Sequence, residues 1–296
     1  MADCMLCPRE CHADRLHGEK GYCMVPGELY VARAALHMWE EPCISGTGGS
    51  GTVFFAGCNL RCVYCQNHGI ARGEAGKKVT TGRLAEIFLE LQEQGAANIN
   101  LVTPTHYVPQ IVSAIKQAKE NGLWLPVVYN CGGYEKVETL RLLEGLVDIY
   151  LPDYKYMRKE SGQRYSHVQD YPEVAKKAVA EMVRQTGAPF LDAETGLMKR
   201  GVIVRHMVLP GHVKEAGEVI YFLHKHFGES IYISIMSQYT PLGIVKEFPE
   251  INRKVTKREY EAVLTAAVEC GVENGFFQEG EAAEESFIPE FDGEGV

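Results

Sequence analysis

Thr52-Val-Phe-Phe-Ala-Gly57 runs directly into Cys58-Asn-Leu-Arg-Cys62-Val-Tyr-Cys65-Gln-Asn67, an apolar stretch followed at once by three cysteines spaced C-x3-C-x2-C. Three thiolates this close, at the end of an expected strand, suit an iron–sulfur cluster whose fourth iron carries no protein ligand. That open iron is where chemistry can occur. A structural zinc site wants a nearby fourth Cys or His and C-x2-4-C spacing in each half. His68 keeps zinc open by count, although zinc sites seldom follow an apolar strand that begins a long alternating chain.

Working outward, further strand candidates follow at Ile99–Thr103, Pro126–Asn130, Val147–Leu151, Gly201–Leu209 and Ser230–Ile235. Between them Leu84–Glu93, Val108–Asn121, Val137–Glu144, Glu173–Gln185 and Lys214–Phe227 place apolar residues at helical spacing. Short strands interleaved with helices imply parallel pairing through crossover connections. With 296 residues and 46% hydrophobic content the chain can bury one large core, or a core plus a small appendage. A net charge of −9 argues against a nucleic-acid partner. The start shows no basic region followed by an apolar stretch, and no window approaches the roughly 18 apolar residues of a membrane span, so a cytoplasmic protein without membrane contact is expected. Ten cysteines clustered at ligand spacings read as reduced thiols.

The Cys58 to Asn67 stretch, with Tyr64 before the third cysteine, resembles the radical S-adenosylmethionine (SAM) superfamily. The glycine-rich entry Gly46-Thr-Gly-Gly-Ser-Gly51 and the phrase Glu41-Pro-Cys-Ile-Ser-Gly46 are similar to its pyruvate formate-lyase activating-enzyme-related group that carries an N-terminal Cys array. The resemblance implies an α/β fold, a partial (β/α)6 TIM-like barrel, over residues 46–278. Residues 1–45 would form a small Cys-rich metal-binding segment and 279–296 an acidic C-terminal tail, loose or draped. The implied cofactors are a [4Fe–4S] cluster on Cys58, Cys62 and Cys65, and SAM.

Reactive groups in α/β barrels gather at the carboxyl ends of strands. Asp153 and Lys155, two apart, share a face, and Asp153-Tyr-Lys155 is similar to the Asp-Leu-Lys that contacts the cofactor in the family. The plainer alternative is an exposed ion pair. Arg205 resembles the family's strand arginine and would meet the cofactor carboxylate or substrate, unless it pairs with a buried acid. Asn130, before Gly132 and Gly133, matches a polar strand exit, and paired glycines let backbone approach a ligand. Thr103-Pro-Thr-His106 stands where activases carry Gly-Gly-Glu for the SAM amine. Thr103 or Thr105 would have to replace it, while His106 would face solvent. Tyr64 and Gln66 are expected against adenine, with a core role the alternative for Tyr64. Cys131 reads as packing, and no catalytic residue is assigned.

Cys4, Cys7, Cys11 and Cys23 make a second constellation in a loop-rich segment too poor in apolar residues to fold without help. Zinc or a second iron–sulfur cluster fits it. The implied function is an oxidoreductase-like activating enzyme that cleaves SAM reductively to a 5′-deoxyadenosyl radical and abstracts hydrogen from a glycyl radical enzyme, with flavodoxin or ferredoxin as electron donor. The alternatives are a radical SAM enzyme modifying a small molecule or peptide, and a non-enzymatic iron–sulfur electron-transfer or metal-binding module.

Overall fold

The computed structural model describes residues 2–278 and 289–296. Ten strands form among them: β1 (Leu29–His37), β2 (Ser50–Phe55), β3 (Lys77–Val79), β4 (Ile99–Val102), β5 (Val127–Cys131), β6 (Ile149–Pro152), β7 (Phe190–Leu191), β8 (Met198–Met207), β9 (Tyr232–Met236) and β10 (Gly275–Phe277). The six expected strands are β2, β4, β5, β6, β8 and β9, each parallel to the next. The sheet stays open in the order β10-β9-β8-β6-β5-β4-β2-β1-β3, a partial barrel.

Period-two alternation sorts the strand residues into two apolar layers. Val127 and Tyr129 of β5, and Val202 and Val204 of β8, face the helices in the main core. Val128 and Ile203 point the other way, joining Ile149 and Leu151 inside the barrel. The outer helices match the expected ones within a few residues. Thr81–Glu93 begins where the Thr80 hydroxyl accepts the Arg83 N–H at 3.0 Å, and it buries Leu84, Ile87, Phe88 and Leu91, one 3.6-period stripe.

The N-terminal region is continuous with the barrel. β1 runs antiparallel to β2, and the next segment folds back inside. There the single helical turn Pro42–Ser45 buries Cys43 and Ile44 against Val128, Ile149, Leu151 and Met198. Asn98, just before β4, fixes this plug: it donates to the Ile44 carbonyl at 2.7 Å and accepts from Ser50 Oγ at 2.6 Å. The barrel is thereby sealed at the amino ends of its strands, which leaves the carboxyl ends for a site.

Of the acidic tail, residues 279–288 lie outside the described residues. The final eight drape along β1: Gly293 N–H donates to the Ala32 carbonyl at 3.0 Å and Ala34 N–H to the Glu294 carbonyl at 2.9 Å. Arg33 pairs with Asp292 at 3.3 Å and with Glu294, and Phe291 sets its ring edge-on to Phe54. Among the described residues no helix is long and apolar enough to cross a membrane.

Candidate functional site

β2 delivers its chain into the cysteine loop through Gly57, whose φ of 89° is in the left-handed region. A Cβ there would stand 2.6 Å from the Cys23 carbonyl oxygen and 3.0 Å from His106 Nε2, so only glycine lets the loop sit this low. Asn59 donates to the Tyr134 carbonyl at 2.7 Å, and the Val63 N–H to the Tyr165 carbonyl at 2.9 Å. The loop is held by neighbours and not by its own hydrogen bonds alone. Cys58, Cys62 and Cys65 are half-buried on its surface. Burial pushes the Cys58 thiol up to about 11, with the neighbouring Cys62 adding to the rise; Cys65 shifts the same way, with both other thiols contributing. Three sulfurs gathered on one short loop are a donor set that a cationic metal centre would satisfy once they are deprotonated. Ser166 donates to Cys62 Sγ at 2.9 Å, and Tyr156 and Tyr64 extend the chain at 2.8 and 2.7 Å.

Cys62 and Cys65 form one wall of a cavity of about 230 Å³ at the carboxyl ends of the strands. Asn130, Asp153, Lys155 and Arg205 line the same cavity at the strand ends, where the sequence places them. Lys155 Nζ lies 2.6 Å from Asp153 Oδ2, and Arg205 Nε 3.3 Å from Oδ1. Burial works against the Asp153 charge, yet Lys155 and Arg205 outweigh it and hold the carboxyl below its ordinary range. The same attraction overcomes burial at Lys155 and raises its pKa. The pair is mostly buried, with side chains 15% and 19% exposed, so it is not the exposed surface pair that was the alternative.

Arg205 does meet a buried acid as well, one the sequence reading missed. Glu40 Oε2 lies 3.1 Å from Arg205 Nη1, while Asn100 and Asn130 donate to Glu40 Oε1 at 3.0 and 3.3 Å. Arg205 Nη2 in turn donates to Asn130 Oδ1 at 2.6 Å. Glu40 reaches this place because the plug that follows it carries the chain inside the barrel. The available signal was Asn100, a polar residue pointing inward from a central strand that is otherwise apolar. The adjacent Glu41 is buried too, and burial raises its pKa.

Gln66 and Tyr64 also line the cavity. Gln66 donates to the Gln238 carbonyl at 3.0 Å. Tyr64 combines both readings: its ring packs edge-on to Tyr165 and Tyr239 while part of it faces the cavity. The threonines differ from expectation. Thr105 is buried and donates to Glu135 at 2.7 Å, which turns it away, and neither it nor Thr103 lines the cavity. Thr103 does hold φ at 58°, unusual for a β-branched residue. His106 is buried, not solvent-facing; its Nε2 pairs with the Ala56 carbonyl at 2.8 Å, and burial lowers its pKa to about 3. Gly132 and Gly133 make room for protein and not for a ligand: a Cβ on Gly133 would run into the Asp153 carbonyl, and one on Gly132 would sit 2.8 Å from Leu60. Cys131 is buried in the main core, with its thiol against the Glu135 carboxylate.

A family model described as the Radical SAM superfamily matches residues 52–222. An uncharacterized protein of Methanocaldococcus jannaschii is 32% identical over 275 residues, covering 90% of this chain and 74% of its own. Among solved structures, HydG, described as a maturase of the [FeFe]-hydrogenase, aligns with a TM-score of 0.52 at 18% identity, over 74% of this chain and 49% of HydG. SuiB of Streptococcus suis, bound to its precursor peptide SuiA, aligns at 0.51 and 12%, over 75% and 46%. The chain spans about half the length of each of these two structures, and likeness at such identity shows the fold.

Proposed function

The chain belongs to the radical SAM superfamily, and from this premise we propose that it abstracts hydrogen from a protein segment presented at the cavity mouth, most like a glycyl-radical-enzyme activase. The observation that carries this reading is a single cavity lined both by Cys62 and Cys65 and by Asn130, Asp153, Lys155 and Arg205. A [4Fe–4S] cluster and SAM, when bound, supply reductive cleavage and the 5′-deoxyadenosyl radical. Cys58, Cys62 and Cys65 would hold the cluster. Asp153 offers a carboxylate to an ammonium, Arg205 a guanidinium to a carboxylate, and Tyr64 and Gln66 would lie toward adenine. Glu40 and Asn130 keep Arg205 in one orientation. The plug at residues 42–45 excludes water from beneath.

The size of the cavity favours a macromolecular substrate. At about 230 Å³ it is below the roughly 300–1,000 Å³ typical of small-molecule pockets, so a substrate would meet SAM at the mouth. A peptide-modifying enzyme shares this requirement and is the second reading; the solved relative SuiB is bound to a precursor peptide. A purely electron-transferring module would leave the buried polar wall without a purpose. A flavodoxin or ferredoxin would supply the electron. The test is to incubate reduced protein and SAM with candidate glycyl radical enzymes or peptides whose α-carbons carry deuterium. Deuterium in 5′-deoxyadenosine together with a glycyl radical signal supports activation. Deuterium drawn from a peptide without a persisting radical supports the second reading, and transfer only from small molecules would refute both.

A further inference from the structure

The N-terminal cysteines are gathered by a knot that the radical chemistry does not account for. Cys4 N–H donates to the Ala13 carbonyl at 3.2 Å and His12 N–H to the Cys4 carbonyl at 3.1 Å. Glu10 and His12 both adopt left-handed φ, at 39° and 56°, so the loop turns tightly twice between Cys7 and Ala13. At Gly21 a Cβ would stand 2.9 Å from Cys11 Sγ and 3.6 Å from Cys23 Sγ, so this glycine is what allows those two sulfurs to converge. All four are free thiols.

A second, independent observation is Arg15, which is only 1% exposed. Its guanidinium donates to the Pro26 carbonyl at 2.7 and 3.2 Å and to the His106 carbonyl at 2.7 Å, and one nitrogen faces Cys4 Sγ at 3.8 Å. Among the described residues no carboxylate pairs with it. A buried guanidinium held by carbonyl dipoles and by the Tyr107 ring, 5.6 Å away, lacks an anionic counter-charge. The sulfur it faces is the one group positioned to supply it.

We propose that Cys4, Cys7, Cys11 and Cys23 form a tetrathiolate metal centre, separate from the radical cluster, whose negative charge is balanced by the buried Arg15. Zinc and the irons of a second iron–sulfur cluster share the required thiophilic chemistry. Among the described residues no three His, Cys, Asp or Glu side chains stand close enough to hold an ion without adjustment. That is equally so at Cys58, Cys62 and Cys65, so at both sites binding a metal would have to draw the ligands inward. The centre also supports the radical loop, because the Cys23 carbonyl accepts the Cys58 N–H at 3.3 Å. Arg9, from the same knot, donates to the Asn59 carbonyl at 2.8 Å and the Ser166 carbonyl at 3.0 Å.

The test uses the full chain with Cys58, Cys62 and Cys65 all changed to Ala, which makes it independent of the radical reading. Anaerobically purified, this protein should retain about one zinc per chain, or iron with matching sulfide, and the metal should be lost when Cys4→Ala and Cys7→Ala are added. Absence of both metals with all four thiols alkylated in the folded protein, or metal that survives those two changes, would overturn the site. Whichever metal is found, Arg15→Gln should release it to a chelator at least ~10-fold faster and Arg15→Lys at near the parental rate. Equal rates in folded Gln, Lys and parental proteins would remove Arg15 from the proposal while metal content still decides the site.

Discussion

We propose that cofactor recognition turns on Asp153, whose carboxylate two cations hold ionised in a buried wall. Asp153→Asn keeps the shape and removes a charge-assisted hydrogen bond, so SAM should bind about 1.5–3 kcal/mol more weakly, roughly 10- to 150-fold, by calorimetry. Unchanged affinity would make the carboxylate a partner of Lys155 and Arg205 only. Glu135 makes the opposite electrostatic case. Burial raises its pKa to about 7, against weaker lowering by hydrogen bonds from Thr105 and Tyr129. A folded pKa above the unfolded one means this contribution to stability is complete below about 4.5 and is lost as pH rises through about 7. The shift corresponds to about 3 kcal/mol. Denaturation midpoints should therefore fall over that window, and Glu135→Gln should flatten the decline; a variant as pH-sensitive as the parent would contradict it. Asp153, Lys155 and Arg205 were legible because strand period and strand end announce them. Glu40 was not, since it arrives from a segment whose route through the barrel no local pattern specifies.

At the scale of elements, six parallel strands and their helices were readable because each carries a mostly apolar stretch or a 3.6-period stripe. β1 escaped, since Arg33 and three alanines dilute its alternation. The helix Lys257–Glu269 also escaped, although Thr256 and Glu259 form a full capping box ahead of it. The docking of the final residues on β1 depends on long-range pairing that sequence alone does not encode. It gives a direct prediction. Gly295 has φ 72°, and a Cβ there would run into the Ala34 carbonyl, so Gly295→Ala should release the end of the chain from β1. Hydrogen exchange at the Ala34 N–H should rise while exchange in β5 and β6 stays unchanged; protection at Ala34 equal to the parent would show that the pairing does not depend on this glycine.

At the scale of the whole molecule, an open barrel plugged at its amino ends brings the cysteine loop and the strand-end charges Asp153, Lys155 and Arg205 to one mouth. Buried apolar layers on both faces of the sheet make that frame rigid. The central claim is that this mouth cleaves SAM reductively. The most direct measurement is 5′-deoxyadenosine and methionine formed from SAM by anaerobically reconstituted, dithionite-reduced protein, beside the variant with Cys58, Cys62 and Cys65 all changed to Ala. Cleavage by the parent and none by the variant is the predicted result. Cleavage that persists in the variant, or a parent that holds a full cluster and leaves SAM intact, would contradict the account.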